Sequence, residues 1–227
     1  MVAYITIGIF LLVSGLLLWF FPDTSILDYG YAELSGFFSL VPYLFMFLIP
    51  AITMRSFAEE RREGTYELLI TRPVTVWQII VAKYFASLVL VLLALIPTLV
   101  YYYSLSKLGF PEGNIDSGAV IGSYIGLSLL GAAFTAIGIF SSALTKNQVI
   151  AFVICAGLCA FAYLGFDYSS QLLRFQNIDA TIMSLGINEH YTSISRGILD
   201  TRDLIYFISF AILFLLLTKI SIGGKRS

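Results

Sequence analysis

Cysteine, histidine and charge are all scarce in this chain, and each scarcity closes off a class of protein. Only Cys155 and Cys159 occur among 227 residues. They stand four apart in an apolar segment, on one helical face, so neither a disulfide framework nor a metal cluster is indicated. Both are expected as small core residues, and the redox compartment stays unread from them. The one histidine, His190, has no second ligand at helical or loop spacing. An interfacial histidine in a structured loop is the expectation, ahead of a metal ligand or proton relay. Charged residues make up 12% of the chain, against about 25% in soluble domains, which rules out an ordinary soluble protein.

Several motifs are missing as well. No Gly-x-x-x-x-Gly-Lys-Ser/Thr loop exists, and the terminal Gly223-Gly-Lys-Arg-Ser227 is too short and misplaced for one. The chain is therefore expected to bind no nucleotide, to need no cofactor of its own and to be no enzyme. No ionisable residue falls near the centre of an apolar segment, which argues against an ion-coupled carrier. An intramembrane protease is unsupported, since His-Glu-x-x-His and a Ser/His pairing within the helices are both lacking.

What the chain does have is apolar length. It is 59% hydrophobic, with a mean hydropathy of +0.90, which predicts an all-α polytopic membrane protein. Six runs, 2–21, 37–54, 76–103, 118–144, 149–166 and 204–222, are long or nearly long enough to cross a ~30 Å hydrocarbon layer. The first lacks a basic leading region and a small-residue cleavage site before Pro22, so it reads as a retained helix rather than a signal peptide. Asp116 or Ser117 is expected to cap the fourth run, and Asp200-Thr201 the sixth. Pro42, Pro50 and Pro97 stand inside helices, as hinges or as tolerated kinks, with kinks the default. Gly118, Gly122, Gly126, Gly131 and Gly138 form a small-residue stripe that suits close packing inside one subunit better than a dimer seam.

Between the second and third runs lies an elbow, 55–75, with the densest charge in the chain. Arg55, Arg61, Arg62 and Arg72 balance Glu59, Glu60, Glu63 and Glu67, so it has no net attraction for nucleic acid or anionic lipid. Mixed charge with apolar knobs (Phe57, Tyr66, Leu68, Leu69, Ile70) suits a protein partner. Gly64 is placed to end a first short helix as its C′ residue, and Thr65 to cap a second with Glu67 near its N-terminus. Pro73 stops that second helix. Thr75-Val-Trp-Gln78 fits a capping box opening the third membrane run, with Lys83 snorkelling to the water boundary.

Glu60-x-x-x-Gly64-Thr65-x-Glu67-x-Leu69, Pro73-Val74 and Lys83 resemble the segment between the second and third membrane helices of ABC-2-type permeases, the membrane subunits of one class of ATP-driven exporters. Ser195-Arg-Gly-Ile-Leu-Asp-Thr-Arg-Asp-Leu-Ile-Tyr-Phe207 resembles the stretch leading into the last helix of that family. Among such proteins the chain looks most similar to the permease of the gliding-motility-associated transporter of bacteria. The resemblance implies a single permease domain over 1–227 in the bacterial inner membrane. It implies that the elbow, through Glu60, Glu63, Gly64, Thr65, Glu67, Leu69 and Pro73, rests on an ABC ATPase subunit that holds ATP and Mg²⁺. A second permease copy or related permease is the other implied partner, besides membrane lipid. The family usually carries an amphipathic segment before its first helix; it is absent here, so a truncated start is expected.

Orientation follows from Lys and Arg. With the elbow in the cytoplasm, Arg55, Arg61, Arg62, Arg72, Lys83, Lys146, Lys219, Lys225 and Arg226 lie inside, against Lys107, Arg174, Arg196 and Arg202 outside. Both termini are then cytoplasmic. The outer loop 167–203 is too regularly apolar for a linker and is expected to fold back onto the membrane, with Asp179 as N-cap and Gly186 as C′ of one short helix. The rival to an exporter subunit is a non-transporting scaffold that anchors an ATPase to an envelope machine. Polar faces on the second and fifth helices would favour transport, and the second offers little beyond Ser39, Tyr43 and Thr53.

Overall fold

The computed structural model describes residues 2–20, 33–66, 74–109, 115–168, 185–198 and 200–223. Among these, regular structure is helical throughout: α1 (Val2–Trp19), α2 (Ser35–Thr53), α3 (Arg55–Glu63), α4 (Val76–Leu95), α5 (Leu99–Leu108), α6 (Ser117–Leu144), α7 (Gln148–Ala160), α8 (Ile187–Ser195) and α9 (Thr201–Gly223). A 3₁₀ turn, Ile96–Thr98, joins α4 to α5, and a π turn, Phe161–Gly165, prolongs α7. Five continuous helical runs are long and apolar enough to cross a membrane: Ser35–Glu63, Val76–Leu108, Ser117–Leu144, Gln148–Tyr168 and Thr201–Gly223. The chain is an integral membrane protein. Helix α1 is apolar too but shorter over its described residues.

Helix α6 is the centre of the bundle, packed against α9, α2, α7, α8, α4 and α3. Small residues let it serve so many neighbours at once. A Cβ added at Gly122 would lie 2.8 Å from the Gly197 backbone, and one at Gly138 would lie 2.2 Å from the Thr53 hydroxyl. Gly126 faces Tyr191 and Ile194, and Gly131 faces Val91. The stripe is thus consumed by packing inside this chain. Outward faces stay apolar, as at Ile9, Phe85, Val153 and Ile208, where a bilayer would cover them.

Caps set the helix starts. Asp116 Oδ1 accepts the Gly118 and Ala119 N–H groups at 3.0 and 3.1 Å, while Ser117 turns its hydroxyl to Tyr102 instead. Asn147 accepts from Val149 at the start of α7, and Asp200 from Arg202 at the start of α9. Thr75 and Gln78 form the reciprocal capping box of α4. Pro42 and Pro50 lie within α2 without ending it, so both are tolerated. Pro97 does interrupt, producing the 3₁₀ turn.

Two boundaries differ from expectation. The third membrane run continues to Leu108, carrying Lys107 on its last turn. Gly186 precedes a helix rather than following one: its φ of −76° and ψ of 137° are extended, and α8 starts at the next residue. A glycine flanking a helix reads alike from either side, and only a positive φ marks a C′ position. Asp179 lies outside the described residues. His190 sits on α8, not in a loop. Cys155 and Cys159 are buried and free, their sulfurs 4.0 Å apart.

The helices alternate, so one end of the bundle gathers α3, the starts of α4 and α7, and the last turns of α6 and α9. Contacts join these pieces directly, with Lys219 of α9 lying 5.9 Å over the Trp77 ring of α4. The other end gathers the start of α2, α5, the start of α6, the π turn, α8 and the start of α9.

Candidate functional site

Helix α3 continues the second membrane helix with one interruption, at Met54. A side chain from another helix occupies that interruption. Ser142 Oγ, near the end of α6, accepts the Phe57 and Ala58 N–H groups at 2.9 and 3.1 Å and donates to the Met54 carbonyl at 3.0 Å. Met54 and Ala58 are an i, i+4 pair, the natural partners of a helical turn, so the serine is inserted into the hydrogen-bond ladder. The joint between membrane helix and elbow is therefore built, and held, by α6.

The inward face of α3 is apolar and closed. Phe57 and Ala58 are fully buried, and Phe57 packs with Ile80, Tyr84 and Ile139. Full burial of such a ring is worth about 1.5–3 kcal/mol. Phe57 is thus no docking knob: it faces the chain's own membrane helices. Tyr66 likewise stands against the same cluster, 6.3 Å from the Phe57 ring centroid and beneath the Arg61 guanidinium at 5.4 Å.

Charge strengthens the mount. Lys83 Nζ of α4 meets Glu60 Oε1 at 2.6 Å, donates to the Ser56 carbonyl and lies 4.7 Å over the Phe57 ring. It does not snorkel to open water, because three partners on α3 are nearer. Arg61 Nη1 donates to the Ala143 carbonyl at the end of α6, one of the carbonyls a helix C-terminus leaves unsatisfied. Glu60 therefore points at its own bundle, with Oε2 buried and unpartnered among the described residues. Glu63, by contrast, is half exposed near Arg62.

Gly64 ends α3 in the left-handed conformation, φ 73° and ψ 2°, which glycine alone adopts without a Cβ penalty. Thr65 donates to the Glu60 carbonyl at 3.4 Å. Arg62, Glu63, Gly64 and Thr65 form the exposed outer end of the elbow. Glu67, Leu69 and Pro73, with Leu68, Ile70 and Arg72, lie outside the described residues. Ser142 was not singled out from the sequence, although the adjacent hydroxyls Ser141-Ser142 at the end of an apolar helix were a signal available there.

At the opposite end α8 forms a lid on the bundle. The Tyr191 hydroxyl donates to the Phe38 carbonyl at 2.7 Å, and burial pushes its phenol far above the ordinary range, so it stays a donor. His190 Nδ1 is 2.7 Å from Asp203 Oδ1 and stacks on Tyr206 at 3.9 Å, which ties α8 to α9. Thr53, one of the few polar residues of the second run, is fully buried against Gly138 and donates to the Ile49 carbonyl. Ser39 and Tyr43 are exposed.

The site is thus a charged elbow mounted on three membrane-crossing helices. Residues 22–223 match the family described as ABC-2 family transporter protein, and the chain belongs to it. It is also 26% identical over 223 residues to the uncharacterized protein YhcI of Bacillus subtilis (strain 168), an alignment that covers 86% of this chain and 67% of the relative. Proteins of this family are membrane components of transporters that work with an ABC ATPase.

Proposed function

We propose that this chain is the permease subunit of an ATP-driven exporter in a bacterial cytoplasmic membrane, with a separate ATPase subunit docked on the exposed end of the elbow. The observation that carries the reading is the mount. Ser142, Arg61 and Lys83 fasten α3 to α6 and α4, so displacement of the elbow is passed to two membrane helices as rigid-body motion. ATP and Mg²⁺ belong to the partner. The path forms with a second copy or a related permease. The chain crosses six times, α1 being the first, since its 18 residues span about 27 Å at 1.5 Å per residue. Both termini and the elbow are cytoplasmic, which the clustering of Arg55, Arg61, Arg62, Lys146 and Lys219 at one end of the bundle supports. Gliding motility gains no support from the family match or the Bacillus relative and is left out of this reading.

The test is co-purification of the ATPase with the permease, with ATPase activity read in reconstituted membranes. Glu63→Lys, on the exposed outer end, and Glu67→Lys should each weaken docking by about 2–5 kcal/mol if the contact is desolvated. Normal assembly and activity in the double variant would overturn the docking assignment. The purified chain alone should bind no ATP.

A further inference from the structure

Two cavities of opposite chemistry border the seam between α2 and α7. The first, about 290 Å³, lies at the end away from the elbow and is lined by Ser39, Tyr43, Ser123, Tyr163, Asn188 and Thr192, among others. Among the described residues no charged side chain lines it. Tyr43 and Tyr163 meet edge to face at 5.9 Å, and their hydroxyls, like that of Ser39, have no hydrogen-bond partner among the described residues. The second, about 360 Å³, lies between α1, α2 and α7 and is lined by Ile9, Phe10, Leu44, Phe47 and Phe152. Its single polar residue among those described is Thr6, whose hydroxyl is already given to the Ala3 carbonyl.

The two share helices in register. Tyr43 lines the first and Phe47, one turn on, the second, about 6 Å further along the axis. On the α7 run Phe152 lines the second cavity and Tyr163, in the π turn, the first. We infer that the two cavities form one site for an amphiphile, with an uncharged, hydroxyl-rich head among the free hydroxyls and an acyl chain in the apolar groove. Free hydroxyls on an aromatic floor suit a head that both donates and accepts hydrogen bonds. The neighbouring cavity shares Asn188 and Thr192 and carries Asp167 and Glu189 against Arg196, an acidic rim that disfavours an anionic head. The polar half lies at the bundle end away from the elbow, and the apolar half runs from mid-helix, at Leu44, toward the elbow end, at Ala51. Calling the ligand cargo rests on the exporter reading above; binding does not.

The experiment uses the full chain in phosphatidylcholine nanodiscs and an alkyl glucoside bearing a diazirine in its chain. Photolabel should enter the peptides containing Phe47 and Phe152. Dodecyl maltoside should displace it, whereas maltose and dodecyl sulfate should not. Tyr43→Phe and Ser39→Ala, which keep shape and remove one hydroxyl each, should lower displaceable labelling about fivefold apiece, the effect of losing one neutral hydrogen bond. Equal labelling of wild type and both variants, or equal displacement by dodecyl sulfate, would mean only boundary lipid and overturn the site. Displacement by maltose alone would overturn its apolar half. ATPase co-purification needs neither residue, so failure of docking and failure of labelling are separate results.

Discussion

Single residues at the elbow act through geometry more than through charge. Ser142→Ala removes three hydrogen bonds and leaves Phe57 and Ala58 N–H groups and the Met54 carbonyl to re-pair along the helix. The expected result is a loss of about 1–3 kcal/mol, read as a lower melting temperature, together with ATPase activity that no longer responds to assembly with the permease. Unchanged melting and coupling would show the joint to be passive. Glu60 and Lys83, with side chains 30% and 20% exposed, form a pair worth about 1 kcal/mol. Glu60→Gln should destabilise by that order, and adding Lys83→Met should cost less than the sum of the single changes, the signature of a coupled pair in a double-mutant cycle. Gly138→Val would drive a side chain into Thr53 and should cost about 1–3 kcal/mol by overpacking. These contacts were hard to read from the sequence. A charged helix at a membrane edge shows its two faces equally, and nothing local says that Phe57 and Glu60 turn toward their own bundle while Arg62 and Glu63 turn away.

Among whole elements, those with strong local chemistry were readable. The capping box at Thr75, the Asp116 cap and the left-handed Gly64 are each written in two or three neighbouring residues, and each forms. Gly64→Val should strain the end of α3 by about 1–3 kcal/mol, and elbow docking should fall while expression holds; normal ATPase assembly would show that the turn carries no coupling. Elements defined by distant partners were not readable in the same way. Helix α8 is held by Tyr191 on Phe38 and by His190 on Asp203, contacts 153 and 13 residues apart in the chain. Its start at Gly186 was therefore taken for an end. The direct passage of α2 into α3, interrupted at Met54 alone, was hard to foresee because the composition changes abruptly at Arg55.

For the molecule as a whole, hydropathy and charge bias carry the architecture: apolar runs became helices, and basic residues gathered at one end. Single cysteines at Thr65 and Lys107, in a background lacking Cys155 and Cys159, should label from opposite membrane faces with an impermeant thiol reagent. Labelling of both from outside would end the proposed topology. One property of the mount reaches past this chain. Ser142 and Arg61 bind main-chain atoms, and Lys83 binds the Ser56 carbonyl besides Glu60. A grip on the backbone is blind to the side chains that α3 shows to solvent. Arg55, Arg62 and Glu63 can thus be rewritten without remaking the joint, so a lineage could exchange one motor for another by surface substitution alone, and grafting a paralogue's outer elbow residues should retarget the subunit with its membrane half untouched.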